Sequence, residues 1–556
     1  TATRVTTGKR GEIFDVSGNL LVGNAPCINV VADPSLVKND AQRREISVMM
    51  ASILKRPREE FYQRLEPTRI MRDAKGNPLR KEDGTVKTRV MREVMLARAV
   101  TPEEGAILRK ISKERRFNSL FFREDYQRFY PTKGMLANLL GIANRNNENL
   151  FTGVTGIEEF CNAQLAGTTG KERYERDRKG RPLTHGLRKQ TAYAKNGSNI
   201  YLTISEPIQA ILEEELDDAY EKWSPKAIYA IVVNPKNGDV LAMGQRPSFD
   251  PNDRSNIHPE DWRLRIAEDG MEPGSIIKPF TVAGALDAGK VTPNSRFDCE
   301  MGTWYYLGKP LRDTHDYGMM TVADIIKTSS NIGTAKIALE CGPDLLYRTL
   351  RSFGFGSKSG LPVRIEATGI LPKVKNWDGL SITRFSIGYG ILVSPVQMVR
   401  GYCALANNGW LPKLRLIDRE EDPVTGTVTV MPREEPVQLF HRPETAKEIV
   451  TMMKAVTGEG GTARRAAIKG YSVAGKTGTS RKYVPGKGYT LKYFASFVGF
   501  VPADNPELVI LVTTDEPKGG SYGGTVSGPT FRKIAERILK HLQIPPDMIP
   551  EEGSEP

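Results

Sequence analysis

Cysteine and histidine are scarce in this 556-residue chain, which has five of each. No two cysteines form a C-x-x-C pair, and their wide spacing matches neither a disulfide framework nor a zinc site. The odd number of cysteines favours free thiols, although a single disulfide remains an alternative. The cysteine count does not decide the cellular compartment. The histidines are also far apart in sequence, so we expect no metal site and assign no cofactor. The residues are Cys27, Cys161, Cys299, Cys341, Cys403, His185, His258, His315, His441 and His541.

Long apolar runs are lacking as well. No stretch approaches the ~18–20 apolar residues needed to span a bilayer. The chain begins with Thr1 rather than Met, so we expect a signal or membrane anchor upstream of it. Helix-turn-helix, zinc-finger and RNA-binding signatures are missing too, and nucleic acid is therefore not an expected partner.

Positive charge is abundant, with a net charge of +13 and a pI of about 9.3. Such an excess suits an anionic lipid or wall polymer, while an ordinary solvated surface is the alternative. Any basic face is expected in the N-terminal part, where much of the lysine and arginine is found.

The first 195 residues have the composition of a charged, turn-rich domain. Residues 73–78 and 81–85 predict two turns around a short polar strand. Thr101, Pro102 and Glu104 predict a helix start, because they supply an N-cap, a first-turn proline and a capping-box glutamate. A basic, glycine-rich stretch, residues 180–197, is typical of a linker.

Residues 196–545 form the second predicted domain, in a chain too long for one ordinary domain. Strands at both ends of this region with helices between them predict an α/β or α+β domain. The acidic, proline-rich residues 546–556 are expected to be a disordered tail. The predicted strands are 200–204, 227–233, 493–501 and 508–513, and the predicted helices are 206–222 and 529–541.

Three short motifs follow one another in the second domain. Each of them is common by chance, but all three in one order form the S-x-x-K, S-x-N and K-T-G set of penicillin-binding proteins and related β-lactamases. The motifs are Ser275-Ile-Ile-Lys278, Ser329-Ser330-Asn331 and Lys476-Thr477-Gly478-Thr479.

The first motif can supply a nucleophile and its base. Residues three apart share a helix face, so the Lys278 amine can lie beside the Ser275 hydroxyl. A serine needs a nearby base to become nucleophilic. Burial near other cations lowers the pKa of a lysine enough for that task. For this motif alone, a capped helix start with a surface lysine is the alternative.

The second motif precedes a helical stretch. Ser329 can pass a proton toward a leaving group, and Asn331 can hold a substrate amide. A simple N-cap is the alternative, because these residue types are well suited to it.

The third motif lies in a predicted strand, residues 472–480, to which a peptide substrate can add. Gly478 allows close approach, while Lys476 and Thr477 offer charge and a hydroxyl to a terminal carboxylate. The backbone N–H groups of Thr479 and Ser275 can form an oxyanion hole. A plain edge-strand turn is the alternative.

Further motifs extend a resemblance to the class B penicillin-binding proteins from Arg10 to about Leu542. Arg10-Gly-Glu-Ile-Phe-Asp15 is similar to the opening R-G-x-I-x-D motif, although Val16-Ser17 departs from its usual continuation. Residues 128–141 and 156–170 resemble two later motifs of the same domain. Residues 386–398 look like the family's G-Y-G and T-P-x-Q stretch.

The resemblance implies an α+β multidomain fold. Residues 1–195 would be an elongated, non-catalytic pedestal for dimerisation or partner binding. Residues 196–545 would be a penicillin-binding transpeptidase domain, similar to serine β-lactamases, with an antiparallel sheet flanked by helices.

The implied activity is a D,D-transpeptidase that cross-links peptidoglycan stem peptides on strands derived from lipid II. Ser275, Lys278, Ser329 and Asn331 would be catalytic, the third motif would bind substrate, and β-lactams would acylate Ser275. Implied partners are an FtsW-type membrane glycosyltransferase and divisome proteins at the extracytoplasmic, periplasmic face of the membrane.

Within class B, the K-T-G-T sequence, Lys492-Tyr493 and Gly523-Gly524 resemble division enzymes of the FtsI type. Elongation enzymes, which more often show K-S-G, are the alternative. A β-lactamase, a β-lactam sensor and a non-catalytic scaffold are competing hypotheses, which the pedestal motifs and the complete motif set disfavour. A glycosyltransferase E-D-x-x-F motif is missing, which disfavours the bifunctional class A.

Overall fold

The computed structural model describes residues 2–73, 75–146, 150–175, 188–255 and 257–548. The chain divides into two compact units. One unit is Val22–Tyr130, and the other combines the chain before Val22 with the chain after Tyr130.

The helices of the described residues are α1 (Asp40–Leu54), α2 (Arg58–Arg64), α3 (Pro102–Glu114), α4 (Ala137–Leu140), α5 (Gly156–Phe160), α6 (Asn162–Leu165), α7 (Glu206–Trp223), α8 (Arg265–Glu268), α9 (Lys278–Asp287), α10 (Val322–Thr328), α11 (Asn331–Ser352), α12 (Ser381–Phe385), α13 (Pro395–Ala406), α14 (Glu444–Thr457), α15 (Gly523–Val526) and α16 (Gly528–His541).

The strands are β1 (Ala2–Thr7), β2 (Ile13–Phe14), β3 (Leu20–Ala32), β4 (Thr68–Ile70), β5 (Thr88–Val90), β6 (Val94–Val100), β7 (Leu120–Phe129), β8 (Ala143–Arg145), β9 (Phe151–Gly153), β10 (Thr169–Tyr174), β11 (Arg188–Ala192), β12 (Asn199–Leu202), β13 (Ala227–Val233), β14 (Val240–Arg246), β15 (Arg296–Asp298), β16 (Thr303–Tyr306), β17 (Lys309–Arg312), β18 (Met319–Thr321), β19 (Trp410–Leu411), β20 (Ile417–Glu421), β21 (Val428–Val430), β22 (Val437–Gln438), β23 (Ala474–Val484), β24 (Gly488–Val501) and β25 (Leu508–Asp515).

In the smaller unit, β3 pairs antiparallel with both β6 and β7. The strands and α1, α2 and α3 share one core that includes Met50, Phe61, Leu96 and Leu108, all fully buried. The capping box predicted at Thr101 is confirmed. The Thr101 side chain accepts a hydrogen bond from the Glu104 N–H, and the Glu104 carboxylate accepts one from the Thr101 N–H.

A five-stranded antiparallel sheet forms the centre of the larger unit, in the order β14-β13-β25-β24-β23. Helices α7 and α16 pack together and against this sheet, and α13 and α14 also contact it. Every residue of β25 is buried, which shows that both faces of the sheet are covered. The predicted strands at 227–233, 493–501 and 508–513 are therefore the central strands of this domain.

Two sequence predictions at the ends of domains need correction. Residues 188–192, interpreted as linker, form β11 and pair with β10 through backbone hydrogen bonds that no apolar pattern had indicated. The start of the expected disordered tail is instead fixed, because Asp547 accepts the Ser472 N–H (2.7 Å) and Met548 donates to the Gly470 carbonyl (3.1 Å). Residues 176–187 and 549–556 lie outside the described residues.

The opening motif is held by a buried ion pair. Arg10 Nε donates to Glu158 Oε2 at 2.6 Å, and the two side chains are 1% and 0% exposed. A second Arg10 nitrogen donates to the Glu158 carbonyl at 2.7 Å. Asp15 accepts the backbone N–H groups of Ser17, Asn19 and Glu206. The motif therefore ties the first residues of the chain to two distant segments.

All five cysteines are free in the structure. Among the described residues, no helix has the length and apolar character needed to cross a bilayer.

We expect Arg10→Met to destabilise the protein by about 3–5 kcal/mol, because it withdraws the buried positive charge that faces Glu158. Urea unfolding would measure the loss. The double variant Arg10→Met/Glu158→Leu should recover a large part of it, since no buried charge then remains at the pair. A double variant no more stable than the single one would contradict this account.

Candidate active site

The first motif lies at the start of a buried helix. Residues Gly274–Ile277 form one 3₁₀ turn that continues directly into α9 at Lys278. Ser275 is partly exposed, whereas Ile276 and Ile277 are fully buried. The buried Tyr402 hydroxyl donates to the Ile276 carbonyl at 2.8 Å and so holds the turn in place. The serine is thus presented on a rigid base.

Glycines allow the neighbouring segments to approach this turn closely. A Cβ atom at Gly388 would lie 2.3 Å from the Gly274 oxygen, and Gly388 has a φ of +86°. A Cβ atom at Gly478 would lie 2.9 Å from Ile276 Cγ2 and 3.2 Å from the Pro273 oxygen. The 386–390 segment and the third motif therefore both press against the turn that carries Ser275.

Lys278 joins the first motif to the second. Its side chain is fully buried, and Nζ donates to the Ser329 carbonyl at 2.5 Å and to Asn331 Oδ1 at 2.7 Å. The Ser329 hydroxyl oxygen lies 3.3 Å from the same nitrogen. The predicted surface-lysine alternative does not fit this burial.

The second motif lies in the sharp connection between α10 and α11. Ser329 ends α10 with a left-handed φ of +65°, and Ser330 is the N-cap of α11, accepting the Gly333 N–H at 2.9 Å. The N-cap role that was the alternative interpretation of this motif is thus filled by Ser330, and not by Ser329 or Asn331. Ser329 and Asn331 are left to face Lys278.

The third motif reaches the same point from β23, the last strand in the order of the five-stranded sheet. Lys476 is fully buried, and Nζ donates to Ser329 Oγ at 2.7 Å. The Thr477 hydroxyl is 3.0 Å from that of Thr462, and the Thr479 hydroxyl accepts the Gly523 N–H at 3.1 Å. Thr479 is the partly exposed member of the motif.

Two buried lysine amines therefore meet at one hydroxyl. Burial lowers the pKa of Lys278 to about 7, and the nearby Asp313 carboxylate acts in the opposite direction. Burial, and then the charge of Lys278, hold the pKa of Lys476 well below its usual range. A neutral lysine can accept a proton, so the cluster contains a base at physiological pH.

Asp313 is an important residue that the sequence did not single out. Its carboxylate accepts the Ser330 hydroxyl at 2.6 Å and the backbone N–H groups of Asn331 and Ile332 at 2.5 and 3.1 Å. It therefore fixes the start of α11, where an anion is favoured by the helix dipole. A lone aspartate in a polar loop carries no recognisable spacing to either motif.

Glu272 is a second residue whose role was not predicted, although it stands beside the first motif. Its carboxylate accepts the Gly390 N–H at 2.7 Å and the Tyr489 hydroxyl at 2.9 Å, and its carbonyl accepts the Ser480 hydroxyl at 2.8 Å. Burial raises the pKa of Glu272, and the hydrogen bonds from Gly390 and Tyr489 oppose the rise. The residue ties the turn that carries Ser275 to three other segments, namely the loop at Gly390, β23 and β24.

The arrangement suits acyl transfer, since a partly exposed serine lies one turn before the buried Lys278, and a second buried lysine reaches Ser329 from β23, the last strand of the sheet. Comparison with known families agrees. Residues 228–536 match the penicillin binding protein transpeptidase domain, and residues 5–202 match the penicillin-binding protein dimerisation domain. The chain belongs to the penicillin-binding protein family. The predicted family, two-domain fold and serine-type D-Ala-D-Ala transpeptidase activity are confirmed.

Several relatives are similar over nearly the whole chain of this class B penicillin-binding protein. The probable peptidoglycan D,D-transpeptidase PenA of Neisseria meningitidis is 31% identical over 98% of this chain and 86% of its own. The peptidoglycan D,D-transpeptidase FtsI of Escherichia coli K12 is 31% identical over 97% and 85%. The crystal structure of penicillin-binding protein 2X from Streptococcus thermophilus superposes with a TM-score of 0.76, at 25% identity, over 97% and 80%.

We expect acylation by a fluorescent penicillin to become faster as the pH rises through about 7, where Lys278 loses its proton. Because Asp313 raises the pKa of Lys278, Asp313→Asn should move this increase to lower pH. The measurement is the second-order acylation rate between about pH 5 and 9.

Asp316→Asn is the matched control, since Asp316 is exposed and lies three residues from Asp313. Its profile should match that of the unaltered protein. A rate that does not depend on pH, or a shift to higher pH in Asp313→Asn, would contradict the assignment of Lys278 as the titrating group.

Proposed function

We propose that this class B penicillin-binding protein cross-links stem peptides of septal peptidoglycan through an acyl-enzyme on Ser275. The observation that carries the proposal is the contact of two buried lysines, Lys278 and Lys476, with the single hydroxyl of Ser329. No metal or cofactor has a part in the proposed reaction.

In the first step, Ser275 Oγ attacks the carbonyl carbon between the two terminal D-alanines of a donor stem peptide. Neutral Lys278 accepts the hydroxyl proton. The peptide C–N bond breaks, and the nitrogen of the leaving D-alanine receives a proton through Ser329. The contacts of Ser329 with Lys278 and Lys476, at 3.3 and 2.7 Å, support such a relay.

In the second step, an amine of a neighbouring stem peptide attacks the ester carbonyl. A new amide bond forms, the ester C–O bond breaks, and the proton lost by the attacking amine passes to Ser275 Oγ. β-Lactams take the place of the donor and stay attached to Ser275.

The remaining motif residues are proposed to hold the donor. Asn331 binds a substrate amide, and the N–H groups of Ser275 and Thr479 stabilise the oxyanion. The donor peptide adds beside β23, where Gly478 leaves room for its backbone. The Thr477 hydroxyl faces the terminal carboxylate, and buried Lys476 supplies positive charge from behind.

The septal assignment is supported by the 31% identity to FtsI, which extends over 97% of the chain, and by the K-T-G-T sequence. We propose that residues 1–195 are the pedestal, that residues 196–545 are the catalytic domain, and that an FtsW-type glycosyltransferase and divisome proteins are partners. The site of action is then the extracytoplasmic face of the membrane.

A fluorescent penicillin should label the protein, and the label should persist on a denaturing gel for many minutes. Ser275→Ala should show no label, and Lys278→Ala should label at least about 100-fold more slowly, because its general base is missing. Ser352→Ala is the control, since Ser352 is exposed at the end of α11, and it should label normally.

Rapid loss of the label with destruction of the drug would instead indicate a β-lactamase. In cells, depletion of a septal enzyme should give filaments, whereas depletion of an elongation enzyme should give rounded cells. Growth supported by Ser275→Ala would indicate a scaffold and contradict the proposed catalytic function.

A further inference from the structure

Residues 67–92 of the smaller unit form a two-stranded arm that adds little to any core. Strands β4 and β5 pair antiparallel, and two turns, 73–77 and 81–85, close its end through backbone hydrogen bonds. Both turns were predicted from the sequence. Nearly every described side chain of the arm is exposed, the exceptions being the partly buried Met71, Val86 and Met91.

The arm is strongly basic, with eight cationic and three acidic side chains and thus a net charge of +5. Two of the acids are used by the turns: Asp73 accepts the N–H groups of Lys75 and Asn77, and Asp83 accepts the N–H and hydroxyl of Thr85. The cationic residues are Arg69, Arg72, Lys75, Arg80, Lys81, Lys87, Arg89 and Arg92.

None of these eight cations forms an ion pair within the part of the chain that the structure describes. Arg72 and Arg80 each donate to a glycine carbonyl of their own turn, at 2.8 and 2.7 Å. Arg69 and Arg89 stand directly opposite each other in the strand register. Like charges in that position repel, so the arm keeps an arrangement that an external anion would stabilise.

Aliphatic side chains accompany the charges. Strand alternation places Ile70 and Val90, 49% and 52% exposed, on one face of the ribbon and Arg69 and Arg89 on the other. Long arginine side chains can bend around such a ribbon while its apolar face enters a less polar layer. Residues 67–92 contain no aromatic side chain, which disfavours stacking on bases or sugar rings.

We propose that this arm binds the surface of an anionic lipid bilayer. The eight cations meet the phosphate groups of the lipids, and Ile70 and Val90 enter the interface between headgroups and acyl chains. Charge alone would equally suit an acidic polypeptide, and the exposed aliphatic face favours the lipid. The proposal is independent of the catalytic mechanism, because no arm residue belongs to the active site.

The test is sedimentation of the full chain with vesicles of phosphatidylcholine, with and without about one third phosphatidylglycerol. We expect binding only to the anionic vesicles and weaker binding at high salt. Each Lys or Arg near an anionic surface strengthens binding roughly fivefold, so Arg69→Gln/Arg89→Gln should bind about 25-fold more weakly. Ile70→Ser/Val90→Ser should also weaken vesicle binding.

The matched control is Lys447→Gln/Lys540→Gln, which removes the same charge from exposed positions on α14 and α16. It should change binding less than about twofold. Unchanged thermal unfolding, together with unchanged labelling by fluorescent penicillin, would verify that both units of each variant are folded.

Three results would overturn the proposal. The first is equal binding to the zwitterionic vesicles, and the second is equal weakening in the two charge variants. The third is binding to soluble polyglutamate that Arg69→Gln/Arg89→Gln weakens, together with no effect of Ile70→Ser/Val90→Ser on vesicles. That third result would assign the arm to an acidic polypeptide.

Discussion

Two lysine side chains meet one serine hydroxyl in the interior of the catalytic domain, and the surrounding segments are arranged around that contact. Water cannot solvate either amine there, so the folded chain holds fewer protons than the unfolded one. For Lys278 this destabilising effect has its full size below about pH 7. It disappears as the pH rises toward the ordinary lysine value of about 10.4. The burial that destabilises the folded chain at neutral pH is therefore the same burial that lowers the pKa of Lys278 and makes its amine a base.

Backbone contacts bring the parts of the site together as much as side chains do. The turn carrying Ser275 is touched by Gly388 and Gly478, so neither neighbour can move closer or acquire a side chain without displacing it. Asp313 holds the start of α11 from another loop, and Glu272 connects the turn to the Tyr489 hydroxyl. Precision at the serine therefore depends on residues outside the three motifs.

The sequence allowed the family, the two-domain fold and the central strands to be predicted, because ordered motifs and continuous apolar runs are local signals. Helical spacing led to the prediction that Lys278 lies beside Ser275, whereas the hydrogen bonds of the Lys278 amine go to Ser329 and Asn331. The contacts of Asp313 with the second motif could not be predicted, since only the folded chain brings that loop to α11. Strand β11 was not predicted for a related reason. Its sequence has no apolar alternation, and the strand is recognised only through its pairing with β10. The hydrogen bond between Lys476 and Ser329 could not be predicted either, because it joins residues that are far apart in the sequence.

The C-terminal segment is fastened to the strand that carries the third motif. Asp547 takes the Ser472 N–H two residues before β23 begins, and Tyr471 donates to the Ile544 carbonyl at 2.6 Å. A chain shortened to Leu542 would lose both attachments. The position at which the chain is ended therefore also decides how firmly the start of β23, the strand that carries the third motif, is held.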